Sequence, residues 1–181
     1  MKELISLDVL GPRICIMGPS NSGKSTLAQA IARKTTLPAI HLDQLHHIPG
    51  TKWVPRTPED FLRLHAEAVS QNRWVMDGNY TKCICSRLDR ATGLILLDVP
   101  VTTGLLRYIR RCYSSKTRIG GLTTGRENVT LEMINYITRI APKNRRHYLN
   151  LYDKSALPKL LLASPDELTA CMNQWDLDAQ L

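Results

Sequence analysis

Residues 18–26 read Gly-Pro-Ser-Asn-Ser-Gly-Lys-Ser-Thr and follow directly on the apolar run Ile14-Cys15-Ile16-Met17. Two glycines five residues apart, then Lys and Ser, satisfy the pattern G-x-x-x-x-G-K-[ST]. Such a stretch leaves the chain few ways to fold. Its backbone N–H groups can converge on an anion only if a buried strand delivers the loop beyond a sheet edge and a helix leaves from its far side. Both flanks comply, because Leu27, Ala28, Ile31 and Ala32 recur at helical spacing after the loop.

The rest of the chain repeats that alternation. Short apolar runs at Arg13 to Met17, Ala39 to Leu42, Trp74 to Met76, Leu94 to Leu97 and Lys159 to Ala163 read as five buried strands, with helical patterns between them. Strands that alternate with helices imply a parallel sheet covered on both faces. The expected fold is therefore α/β, a three-layer α/β/α sandwich on five parallel strands in a single domain over 1–181. Ligands of such sheets sit beyond the carboxyl ends of the strands, where Gly18, Asp43, Asp77 and Asp98 fall. Two long connections, Gln44 to Pro58 and Ser114 to Thr130, are the candidates for functional loops.

At 181 residues and 43% hydrophobic, the chain has enough apolar material for one core without staples. Five cysteines, an odd number with Cys83 and Cys85 only one residue apart, suit neither a disulfide framework nor a zinc site, so free thiols are expected. No apolar run reaches the roughly 20 residues of a membrane span and the N-terminus shows no secretory core, so a cytoplasmic protein is expected. A net charge of +8 favours anionic partners without choosing among nucleotides, metabolites and nucleic acid. No recognition-helix pattern or aromatic-basic interleaving supports nucleic acid in particular.

The loop motif assigns roles. Gly18, Pro19, Ser20, Asn21, Ser22, Gly23, Lys24, Ser25 and Thr26 are the expected cradle for the phosphates of ATP, with Lys24 reaching the β- and γ-phosphates and the Ser25 hydroxyl on Mg²⁺. Asp77, at a strand end beside the loop, is placed to complete the Mg²⁺ site with Ser25; a structural cap on the next turn is the alternative. Asp98 is read as structural, bonded to backbone near Pro100. His41, His46 and His47 lack the geometry of a metal site. Trp53 and Tyr80 either stack on a substrate ring or anchor loops.

His41-Leu42-Asp43, Trp53, Asp77-Gly78-Asn79-Tyr80, the strand ending at Asp98 and the arginine helix after Pro100 together resemble the small P-loop proteins called topology modulation proteins, relatives of adenylate, shikimate and gluconate kinases. The resemblance covers most of residues 13–165, with Asn79-Tyr80 standing where adenylate kinases carry Pro-Arg. It implies a phosphotransferase that moves the γ-phosphate of Mg·ATP to a small acceptor, which adenylate-kinase-like chains would find in a nucleotide. In similar kinases an acidic residue faces the acceptor hydroxyl, a place Asp43 takes here, either as orienting base or as support for Mg²⁺. Gly78, Asn79, Tyr80, Trp53 and Arg87 join Asp43 as the implied acceptor set, drawn from about 44–72 and the strand end after it. In the helix after Pro100, Leu105, Leu106, Ile109 and Cys112 share one face and Arg107, Arg110 and Arg111 the other. The resemblance implies that Arg107 and Arg111 flank the nucleotide. A short lid is implied over about 114–129, with Arg118 and Arg126, and Arg139 from the next helix, neutralising the transferring group. The family's name suggests a different class, a nucleotide-dependent DNA-binding regulator, and a plain ATPase is a third reading.

Overall fold

The computed structural model describes residues 4–51, 53–113, 120–121 and 128–178. A one-turn helix, α1 (Leu7–Leu10), precedes the strand β1 (Arg13–Met17), whose last four residues are fully buried. The loop that follows feeds α2 (Lys24–Thr35), and β2 (Ala39–His41) runs straight into the short helix α3 (Leu42–His46). Helix α4 (Pro58–Ser70) begins where its residues prescribe: Thr57 caps it by accepting from the Asp60 N–H, Pro58 fills the first turn, and Glu59 and Asp60 meet the helix dipole. Then come β3 (Trp74–Asp77), a 3₁₀ turn (Thr81–Cys83) and α5 (Ile84–Arg90). Next are β4 (Gly93–Leu97) and α6 (Val101–Tyr113). The chain closes with α7 (Leu131–Asn135), a π turn (Tyr136–Ile140), a 3₁₀ turn (Ala141–Asn144), α8 (Arg145–Lys154), β5 (Lys159–Leu162) and α9 (Pro165–Gln174).

The five strands form one parallel sheet in the order β2-β3-β1-β4-β5. Each expected strand is present to within a residue at either end. Side chains alternate between two cores, as the pleat requires. Ile14, Ile16, Val75, Ile95 and Leu97 pack with Leu27 and Ile31 of α2 and Leu168 of α9. Cys15, Met17, Trp74, Met76, Leu94 and Leu96 pack with Val69 of α4, Ile84 of α5 and Tyr148 of α8. The molecule is thus the α/β/α sandwich expected. Because β1 is the middle strand, its loop emerges at the centre of the carboxyl edge, and the pairing of Ile16 with Asp77 sets Asp77 beside it.

Four expectations need correction. The stretch from Gln44 is not open loop: α3 runs to His46 and His47 bridges Pro55, so Asp43 lies in a first helical turn instead of at a strand end. On α6 the buried residues are Gly104, Tyr108 and Cys112, and Leu106 is 62% exposed. The inward stripe runs through 104 and 108, and Leu106 sits about 200° around the helix from each. After Thr130, where helical spacing in the sequence puts Met133, Ile134, Ile137 and Ile140 on one side, the helix widens into the π turn, which breaks the 3.6-residue count, so Ile137 is buried while Ile140 is exposed. Finally, Asp98 binds a side chain and not loop backbone: its two oxygens accept from Nε and Nη2 of Arg145 at 2.7 and 2.6 Å, tying β4 to α8.

Most of the expected lid, including Arg118 and Arg126, lies outside the described residues. All five cysteines are unbridged. Among the described residues no helix is long and apolar enough to cross a membrane.

Candidate phosphate-binding and transfer site

The loop geometry follows from its glycines. Gly18 has φ 147°, and a Cβ there would lie 2.4 Å from the Leu97 carbonyl oxygen, so β4 passes too close for any other residue. Gly23 at φ 104° and Asn21 at φ 61° add left-handed turns, which let successive N–H groups face one concavity at the start of α2. Asn79 fastens the loop from the neighbouring strand: its side-chain oxygen accepts from the Gly18 N–H at 3.1 Å and its amide donates to the Gly18 carbonyl. Lys24 Nζ donates to the Pro19 carbonyl at 2.7 Å. From the other side Arg107 donates to the Ser22 carbonyl and Arg111 to Asn21 Oδ1, both at 2.6 Å, with the Arg111 guanidinium 5.7 Å from the Tyr108 ring centroid. Burial lowers the Arg107 pKa from the usual arginine value.

Asp77 is the electrostatic centre. Ser25 Oγ donates to its Oδ2 at 2.6 Å, and His41 Nδ1 lies 2.6 Å from its Oδ1. Burial pushes the carboxyl pKa up, but the His41 hydrogen bond and charge, the Ser25 hydrogen bond and the Lys24 charge outweigh it, so the net shift is downward. Asp77 is held as a carboxylate. One strand further out, Asp43 Oδ1 accepts from the Tyr80 hydroxyl at 2.8 Å. The Tyr80 ring is itself wedged, 4.7 Å from the His46 ring and 4.9 Å from Phe61. Burial and then the Asp43 charge raise the Tyr136 pKa, which marks a second phenol near that carboxylate.

These groups line one cavity of about 960 Å³. Strand order gives it two ends. Towards β2 and β3 the wall is His41, Asp43, Gly78, Asn79, Tyr80 and Thr81; the loop supplies Ser20, Asn21, Gly23, Lys24, Ser25 and Thr26; towards β4 and β5 it is Arg107, Arg110, Arg111, Leu168, Thr169 and Met172. Among the candidates from sequence, thirteen meet here, and Gly18, Pro19 and Ser22 form the backbone behind them.

Three described candidates lie elsewhere. Arg87 is fully buried beneath the site, where it donates to the Gly78 carbonyl at 3.0 Å. Its place in the second turn of α5 faces the core, which sequence distance from Tyr80 does not reveal. Trp53 packs edge-on to His47 at 5.2 Å, away from the cavity wall. Arg139 is exposed and off the cavity wall, on which Tyr136 of the same π turn stands. Conversely, sequence reasoning set His41 aside and missed Tyr136, Asn144, Tyr148 and the α9 residues. For His41 no signal was available: with the ends of the second and third runs flush it would face Val75, and the sheet's own register sets it opposite Asp77.

Fold and site together define a P-loop protein of the α/β/α class, with a carboxylate-hydroxyl pair beside the loop and a second carboxylate one strand away. No protein-family model matches the chain, and no curated protein matches it in sequence. Solved structures do match. One is a shikimate kinase from Bacteroides thetaiotaomicron, with TM-score 0.54 and 19% identity over 90% of this chain and 95% of that one. Another is a gluconokinase from Sinorhizobium meliloti 1021, with TM-score 0.52 and 15% identity over 92% and 90%. The shared feature is the fold, a P-loop kinase-like sandwich spanning nearly the whole of each chain.

Proposed function

We propose that this protein is a Mg·ATP-dependent phosphotransferase acting on a hydroxyl of a small acceptor. The observation that carries the reading is the single cavity in which Lys24, the Ser25–Asp77 pair and, one strand away, Asp43 share a wall. The donor set fits Mg²⁺, which takes one or two protein oxygens and completes its shell with waters and phosphate oxygens. Ser25 donates its only proton to Asp77 and so turns its lone pairs away from that carboxylate. When bound, Mg·ATP supplies the phosphoryl group and a metal charge that neutralises it.

The chain's own residues then do three things. Loop N–H groups and Lys24 hold the phosphates, while Arg107 and Arg111, already docked on Ser22 and Asn21, set the loop against α6. Leu168, Thr169 and Met172 offer an adjacent, partly apolar wall for the base. Asp43, oriented by Tyr80, receives the acceptor hydroxyl and either aligns it or takes its proton. Arg118 and Arg126 are proposed to close over the transferring group. Catalysis is positioning and electrostatics, with no covalent enzyme intermediate.

Both structural neighbours named above are kinases, and they support this class of chemistry. The likeness to topology modulation proteins and adenylate kinases rests on the motif residues alone. Burial of Arg87 takes away the guanidinium that a nucleoside monophosphate was expected to meet, which favours a non-nucleotide acceptor. The test is a panel of sugar acids, other polyols, nucleosides and nucleoside monophosphates, read as ADP formed by purified protein. Acceptor-dependent ADP formation is expected, and Lys24→Ala should lower it by about 10²-fold or more. Full transfer by the Lys24 variant would sink the proposal.

A further inference from the structure

The imidazole of His41 has no task in the reading above, yet it is among the least exposed polar groups of the cavity wall. His41 ends β2 directly opposite Asp77 on β3, and both side chains are nearly inaccessible, 7% and 6% exposed. Their contact is 2.6 Å, as short as the Ser25 contact on the other carboxylate oxygen. A carboxylate offers only lone pairs, so the proton in this contact sits on Nδ1 and His41 is the donor. Each oxygen of Asp77 is thereby committed to a different partner. Rotation of the carboxylate would break both bonds at once.

Backbone from beyond α6 also closes on the imidazole. Gly120, at φ 70°, approaches so closely that a Cβ there would lie 3.0 Å from His41 Cγ and 3.1 Å from Nδ1. Next to it, the Gly121 carbonyl accepts from Gln44 Nε2 at 3.3 Å, which anchors this glycine pair on α3. We propose that His41 is a positioning residue for the cation-holding carboxylate: it fixes Asp77 so that Oδ2 alone faces Ser25, with Gly120 packed against the ring to keep it there. His41 touches neither reacting atom and acts through Asp77. Gly120 must be glycine both for its left-handed backbone and because a side chain would press on the ring.

The inference rests on the reading of Ser25 and Asp77 as holders of Mg²⁺ beside a nucleotide. Partners that orient a metal-holding group typically contribute about 10- to 100-fold in metal affinity. The experiment is therefore calorimetric titration of ATP into the full chain, in Mg²⁺ and again in excess EDTA. It is run on wild type and on His41→Ala, His41→Asn and Gly120→Ala, with thermal unfolding of each variant alongside. Wild type is expected to bind ATP more tightly with Mg²⁺. His41→Ala should lose about 10- to 100-fold of that metal-dependent gain while keeping its affinity in EDTA. His41→Asn should recover most of the gain, since its amide N–H reaches a similar point, and Gly120→Ala should lose gain as His41→Ala does. A His41→Ala protein with the full gain, or with equal losses in Mg²⁺ and EDTA, overturns the positioning role alone. If that variant does not fold, Gly120→Ala decides in the same way, and a His41→Asn protein that loses the metal-dependent gain overturns the role as well. Wild type that binds no ATP overturns the nucleotide reading, and the role of His41 with it.

Discussion

His65 on α4 is 2% exposed, and its Nε2 finds no hydrogen-bond partner among the described residues. Burial, and then the neighbouring Arg87 cation, lower its pKa from 6.5 to about 4. Between those values the unfolded chain binds a proton that the folded chain refuses, so stability must fall as pH drops from 6.5 towards 4. Asp77 adds to the loss only at lower pH, because a depressed carboxyl pKa stabilises above the unfolded value and fails as pH falls through the folded one. Urea unfolding of wild type should lose on the order of 2 kcal/mol across the His65 window. His65→Leu should flatten that slope; an unchanged slope would show that His65 is not the group responsible. At this scale the sequence was least legible. Arg87 was expected to face the acceptor and His65 carried no signal, and only the packing of α4 and α5 over the sheet reveals that both are interior. Lys24, Ser25 and Asp77 were readable because each is fixed by a strand end or a motif whose backbone conformation is set locally.

The junction of β1, loop and α2 shows what elements demand of one another. The loop can pass β4 only with no side chain at position 18, since Leu97 supplies both the 2.4 Å carbonyl contact and a 3.0 Å Cβ contact. Gly18→Ala should therefore destabilise the fold by about 1–3 kcal/mol through overpacking. It should also abolish ATP binding, because the Gly18 N–H and carbonyl would be pulled from Asn79. Retention of wild-type ATP affinity in calorimetry would contradict this account of the loop. The inner strands β1, β3 and β4 were legible here to within a residue because burial on both faces demands unbroken apolar runs. Helices after Pro100 were less so. Leu106 and Ile140 are apolar in sequence but exposed, and within the π turn it is Tyr136, not Arg139, that reaches the cavity.

At the scale of the whole molecule, the sheet order β2-β3-β1-β4-β5 determines the site's layout. Arginines from α6 gather at one end of the cavity and the carboxylate of Asp43, flanked by Tyr80, stands at the other, with the loop and Asp77 between them. Alternation of strand and helix predicted a parallel sheet, but strand order depends on which crossovers skip a neighbour, and no single residue encodes that. On the proposed reading these are a donor end and an acceptor end, as transfer to a compound other than water requires. The most direct test is ³¹P NMR of ATP incubated with the purified protein, Mg²⁺ and each member of the acceptor panel in turn. The account predicts that, with at least one acceptor, the γ-phosphate signal is replaced by a phosphoester resonance in step with ADP. ADP and orthophosphate as the only new products with every acceptor, formed at a rate none of them changes, would contradict it.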